Sequence, residues 1–98
     1  MNTLEQIIER FSDEEFLKAD GLDKAVVGVV PKTMQLVYDI NKVIQILVHD
    51  GMDEDDAVEY FEFNIEGAYV GEKTPVFIYI SQDERRHFQE AMEKLEAK

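Results

Sequence analysis

Few side chains in this sequence have the types and spacing that chemistry needs. Cysteine is absent from the 98 residues, which excludes thiolate nucleophiles, thiolate zinc sites and disulfides together. Ser12 and Ser81 each stand three residues before a glutamate, Glu15 and Glu84. That is capping-box spacing, in which the hydroxyl satisfies an orphan helix amide, so both serines read as caps and not as nucleophiles. The two histidines fall in separate predicted helices. His49 stands near a helix C-terminus, where the dipole favours a cation, and His87 follows Arg85-Arg86 on a solvated face. The run Asp53-Glu54-Asp55-Asp56 invites a divalent cation, but an EF-hand needs oxygen ligands at alternate positions, a central glycine and a bidentate glutamate at the twelfth. Here the acids are consecutive and open a helix, so they fan around its axis, and favourable interaction with the helix dipole accounts for them better. Gly67 and Gly71 are neither followed by Lys-Ser/Thr nor spaced like a dinucleotide fingerprint. Carboxylate pairs for acid–base work can form only in space, and among 22 acids proximity alone is weak evidence. The expectation is a protein with no catalytic residues, no metal and no cofactor.

The acids say more by their arrangement. With 22 acidic against 10 basic side chains the formal charge is −12, which argues against direct contact with nucleic-acid phosphates or anionic lipid, since both need cationic patches. In a helix starting after Asp53, Asp55, Glu59, Glu62 and Glu66 fall within an arc of ~60° and form a ridge roughly 16 Å long. Like charges four residues apart cost a few tenths of a kcal/mol each in an isolated helix, and no lysine or arginine occurs between Lys42 and Lys73 to offset them. An acidic surface also serves solubility, but a merely soluble helix usually mixes signs. Phe63 lies beside the ridge, with Tyr60 further round and Tyr69 a few residues on. An aromatic next to an acidic row fits an interface anchor, although Phe63 could equally pack under the 67–74 loop or on another helix. The favoured reading is a non-catalytic interaction protein. Asp55, Glu59, Glu62, Glu66, Phe63 and Tyr69 would dock on a protein partner with a basic surface, a nucleic-acid-binding protein above all, mimicking phosphate charge. Two other classes stay open: a small carboxylate-based enzyme or divalent-metal-dependent regulator, and a structural module that self-assembles, as a homodimer for example, through a sheet edge or its terminal helices.

These residues must be positioned by short elements. Thr3 with Gln6 marks a capping-box start, and Leu4, Ile7, Ile8 and Phe11 give an amphipathic helix that kinks or restarts at Ser12 and stops at Asp20-Gly21. Residues 25–30 and 34–38 read as a hairpin of two strands around a Pro31-Lys32-Thr33 turn, with Gly28 marking a bulge or a close backbone approach. Asp39 caps a helix carrying Ile40, Val43, Ile44 and Leu47; Ile46 and Val48 widen its apolar arc, so it is expected to be the most buried helix. Asp53 opens the next helix, with Ala57, Val58, Phe61, Ile65 and Ala68 facing the core. Val76 to Ile80 is the clearest strand, and Ser81 with Glu84 opens a last helix lined by Phe88, Ala91, Met92 and Leu95. The length allows one domain, residues 1–98. The order α-β-β-α-α-β-α predicts an α+β domain with a three-stranded, mostly antiparallel sheet packed with helices. No apolar run approaches the ~20 residues that span a bilayer, and the opening Met-Asn-Thr-Leu-Glu-Gln lacks a basic region, so a cytoplasmic protein without a signal peptide is expected.

The stretch Asp50-Gly51-Met52-Asp53-Glu54-Asp55-Asp56-Ala57-Val58-Glu59-Tyr60-Phe61-Glu62-Phe63-Asn64-Ile65-Glu66-Gly67-Ala68-Tyr69-Val70-Gly71-Glu72-Lys73-Thr74-Pro75-Val76-Phe77 resembles a pattern shared by short uncharacterised proteins of phages and bacteria. The strand and helix of Met34 to Leu47 fit the same group, and the resemblance covers about half the chain. It implies no catalytic residues. It does imply that residues 61–75 are the signature, and small acidic phage proteins often act by binding host proteins. The same segment has a structural reading, with Asn64 or Gly67 ending the helix and Tyr69 covering the edge of the core.

Overall fold

The computed structural model describes residues 2–80. The last predicted helix, with Ser81, His87 and the Phe88 to Leu95 stripe, lies outside the described residues.

Helix α1 spans Thr3–Arg10 and buries Leu4 and Ile7. Its cap is Asn2 and not Thr3: the Asn2 Oδ1 accepts from the Glu5 amide at 2.8 Å. An asparagine one residue earlier makes the same bond as the expected threonine, so Thr3 becomes the first helical residue. The restart expected at Ser12 does not form. Residues 14–19 run without regular structure, because a helix so short cannot repay its own nucleation and the segment is held by tertiary bonds instead. The Ala19 amide donates to the Tyr38 hydroxyl at 2.8 Å, and Lys73 Nζ donates to the Glu15 carbonyl at 2.7 Å. Phe16 and Ala19 pack against the core. Gly21, at φ +80°, turns the chain into a short 3₁₀ turn, Asp23–Ala25.

Strands β1 (Val26–Val30) and β2 (Gln35–Asp39) form the expected antiparallel hairpin. The register steps from Val26 opposite Tyr38 to Gly28 opposite Val37, leaving Val27 as the extra residue of a bulge. A Cβ at Gly28 would meet nothing within 4 Å, so the glycine marks the bulge and not a close approach. The connecting turn closes with Met34 in the left-handed region at φ +60°, its amide donating to the Val30 carbonyl at 2.7 Å. β2 passes into helix α2 (Ile40–His49) with no loop: buried Asp39 ends the strand and caps the helix, accepting from the Asn41 amide at 2.9 Å. α2 buries Ile40, Val43 and Leu47, whereas Val48, placed in its apolar arc from sequence, is 40% exposed.

Helix α3 (Glu54–Tyr60) runs directly into a π-helical segment, Phe61–Glu66, before strand β3 (Val76–Ile78), which is two residues shorter than the sequence pattern. The sheet order is β1-β2-β3, and β3 lies parallel to β2 with Val37, Tyr38 and Asp39 opposite Val76, Phe77 and Ile78. The sheet is therefore mixed, not mostly antiparallel. Parallel neighbours require a crossover of a dozen residues or more, and α2, α3 and the π segment together make one. The α+β class stands. Its centre is aromatic: the Phe77 ring lies 5.3 Å from Tyr38 and 5.3 Å from Phe61, meeting the second edge-on at 74°.

Candidate functional site

The α3–π element carries the acids. Glu54, Asp55 and Asp56 occupy its first turn, where the dipole favours negative charge, although the Asp53 side chain makes no capping bond. Only Ala57 and Phe61 anchor the element fully in the core, with Ile65 half-buried. Val58 and Ala68, both expected in the core stripe, are exposed. Two fully buried anchors leave most of the element's circumference to solvent.

Asp55, Glu59, Glu62 and Glu66 are all exposed. Among the described residues Lys73 pairs with Glu14 at 3.6 Å, His49 Nδ1 lies 3.9 Å from the Asp50 carboxylate, and no cation pairs with the four ridge carboxylates. The π segment alters the ridge in one respect. Bonding from i to i+5 advances each residue by less than the ~100° of an α-helix. This brings Phe63 nearer the line of Asp55 and Glu59 and carries Glu62 and Glu66 away from it. Helical spacing with a π turn over Phe61–Glu66 thus aligns Phe63 with Asp55 and Glu59, and sets Glu62 and Glu66 together to one side of that line. Phe63 is 76% exposed, so it packs neither under the 67–74 loop nor on another described helix. Tyr69 is 78% exposed and does not cover the core edge. It belongs to a separate loop, closed by Thr74, whose Oγ1 accepts from the Val70 amide at 3.0 Å and donates to the Gly71 carbonyl at 2.6 Å.

Sequence reasoning missed an apolar groove of about 400 Å³ on another face of the same element, lined by Leu17, Leu22, Tyr60, Ile65, Val70 and Phe77. Its signal was weak: Leu17 reaches it only because residues 14–19 are not helical, and Tyr60 was read as a neighbour of the ridge. No group of three or more His, Asp or Glu among the described residues is arranged to hold a metal ion. His49 ends α2 and is highly exposed, where it complements the dipole. Among the described residues, the titration of Tyr38 is clearly displaced. Burial pushes its phenol above 10.0, with Asp23 and Asp20 adding to the rise and the Ala19 N–H bond opposing it. No helix among the described residues is long and apolar enough to cross a membrane.

No family model matches the chain, and neither curated proteins nor solved structures give a significant match to it.

Proposed function

We propose that this chain is a non-catalytic cytoplasmic interaction protein that docks through its acidic helix on the basic surface of a nucleic-acid-binding protein, occupying the place of phosphate. One observation carries the reading: Asp55, Glu59 and Glu62 are exposed on the same helical element as Phe63, itself 76% exposed, and no recorded ion pair among the described residues neutralises them. A solvated helix has no need of a large aromatic held 76% in water within an acidic row. A docking helix does, because the carboxylates steer the encounter and a buried ring supplies the affinity. The π turn supports the same reading, since such turns are rare and recur at functional sites. Glu66 and Tyr69 extend the contact at its edge. The resemblance of residues 50–77 to phage and bacterial proteins makes a host protein the natural partner.

Electrostatic docking weakens with salt. Immobilised protein should capture nucleic-acid-binding proteins from bacterial lysate at low ionic strength, release them at high ionic strength, and lose them to competing duplex DNA. The Glu59→Lys, Glu62→Lys double variant should capture none of them. Capture that survives both high salt and charge reversal would refute the proposal.

A further inference from the structure

Two Asp-Gly steps occur in the chain, Asp20-Gly21 and Asp50-Gly51, and all four residues are exposed. Such a step has a slow chemistry of its own, because glycine puts no side chain in the way of its amide nitrogen. That nitrogen gives up its proton and bonds to the Asp Cγ, and one carboxyl oxygen leaves as water, closing a five-membered imide. Water then opens the ring at the Asp backbone carbonyl, so the chain runs on through the Asp Cβ and Cγ as isoaspartate, with one carboxylate as before. No oxidant or reductant is needed, and the water released is the water regained. A fold controls whether the amide is free and whether the backbone can turn to bring the Cγ over it.

At Asp50-Gly51 both conditions fail. The Gly51 amide donates to the Val48 carbonyl at 3.0 Å, and the Met52 amide beyond it to the Leu47 carbonyl at 3.1 Å. As the C-cap of α2, Asp50 is held at ψ 0°. There its own nitrogen eclipses the Gly51 nitrogen, whereas ring closure requires the Cβ to do so. Asp20 and Gly21 are instead the central residues of a turn closed by the Leu22 amide and the Ala19 carbonyl at 3.2 Å, with Gly21 at φ +80°. The Gly21 amide bonds to no acceptor among the described residues, and the chain before the turn has no regular structure.

We propose that the fold leaves Asp20-Gly21 open to isoaspartate formation and protects Asp50-Gly51. The modified backbone is one atom longer between two fixed points. On one side Leu22 is buried in the core, and on the other the Ala19 amide donates to the Tyr38 hydroxyl at 2.8 Å. The added atom opens the Ala19–Leu22 turn and pulls on the Tyr38 bond, and before conversion that same bond restrains the turn. Ala19, Asp20 and Leu22 also line the apolar groove, so the new link reshapes one of its walls. The carboxylates of the acidic helix are untouched, and the site is independent of any docking role for them.

The two steps separate on digestion at lysine and arginine, which places Asp20 in the peptide Ala19 to Lys24 and Asp50 in the peptide Val43 to Lys73. Intact protein is incubated for weeks at neutral pH, digested, and its isoaspartate located by enzymatic methyl labelling and mass spectrometry. The 19–24 peptide should convert well ahead of the 43–73 peptide, whereas protein incubated in denaturant should convert alike at both. Asp20→Glu, whose longer side chain would have to close a six-membered ring, should remove the signal from the 19–24 peptide. Tyr38→Phe should speed conversion at residue 20 by up to about 5–30-fold, the factor that one lost bond of this kind makes in a local opening equilibrium, and leave residue 50 unchanged. Residue 50 converting as fast as residue 20 in folded protein, or residue 20 not converting there at all, would overturn the proposal. So would a Tyr38→Phe variant in which residue 20 fails to respond or both sites speed up equally.

Discussion

Tyr38→Phe isolates one bond that ties the irregular 14–22 segment to the sheet. The substitution keeps the ring, its 5.3 Å contact with Phe77 and its fully buried position, and deletes only the hydroxyl that accepts the Ala19 amide at 2.8 Å. A net intramolecular hydrogen bond contributes about 1 kcal/mol, and leaving a buried donor unsatisfied costs about 1–3. The Ala19 amide is only part-buried, so water can reach it in part and the lower half of that range applies, ~1–2 kcal/mol. For a domain of this size each kcal/mol moves Tm by about 4–8 °C. Thermal unfolding followed by circular dichroism should show that loss, and the Ala19 amide should exchange faster while core amides of α2 hold their order. Alkali supplies a second readout. The neutral phenol is favoured by folding, so its raised pKa contributes stability that is fully present below pH 10.0 and lost as pH rises through the folded-state value. The variant should lack that part of the alkaline decline. An unchanged Tm together with unchanged Ala19 exchange would refute the view that this bond holds the segment in place.

Gly28→Ala should be nearly neutral, because its Cβ meets nothing within 4 Å and its φ is ordinary, whereas Gly51→Ala, at φ +118°, should cost at least ~1–2 kcal/mol in urea unfolding. Asp39→Ala should destabilise by ~1 kcal/mol through loss of the α2 cap, with Asp39→Asn retaining most of it, as measured by chemical denaturation. Phe63→Ala should leave stability within ~0.5 kcal/mol, since the ring is 76% exposed, yet weaken capture of a basic partner; a large fall in Tm would show that the ring packs in the fold after all.

The hairpin, the bulge at Gly28, the α2 cap and the acidic helix were all legible in the sequence, because each rests on interactions between near neighbours. Strand β3 was legible as a strand but not as a parallel one. Val76 to Ile78 looks the same in either direction, and its orientation is decided by where a two-helix crossover delivers it. The Ser12 box misled for a related reason: capping chemistry was present, but Lys73 and Tyr38, distant in sequence, claimed the segment first. The ridge of four acids is an expectation of regular α-helical spacing; all four are exposed, but Glu62 and Glu66 lie in the π segment, where that spacing no longer holds. The π segment does not follow, since no local residue pattern separates a five-residue bond from a four-residue one. Its smaller turn per residue brings Phe63 nearer the line of Asp55 and Glu59 and carries Glu62 and Glu66 off it.

The parallel pairing of β3 also sets the order in which the molecule can assemble. β1 and β2 can zip together as soon as their turn exists, but Val76 must wait for every residue back to Val37 to be made and folded over before its partner edge is within reach. Until then the rim of β2, with Val37 and Tyr38, stays open. A chain emerging from the ribosome therefore passes through an interval in which its hairpin exists without its third strand, and adhesive encounters between copies would be concentrated there.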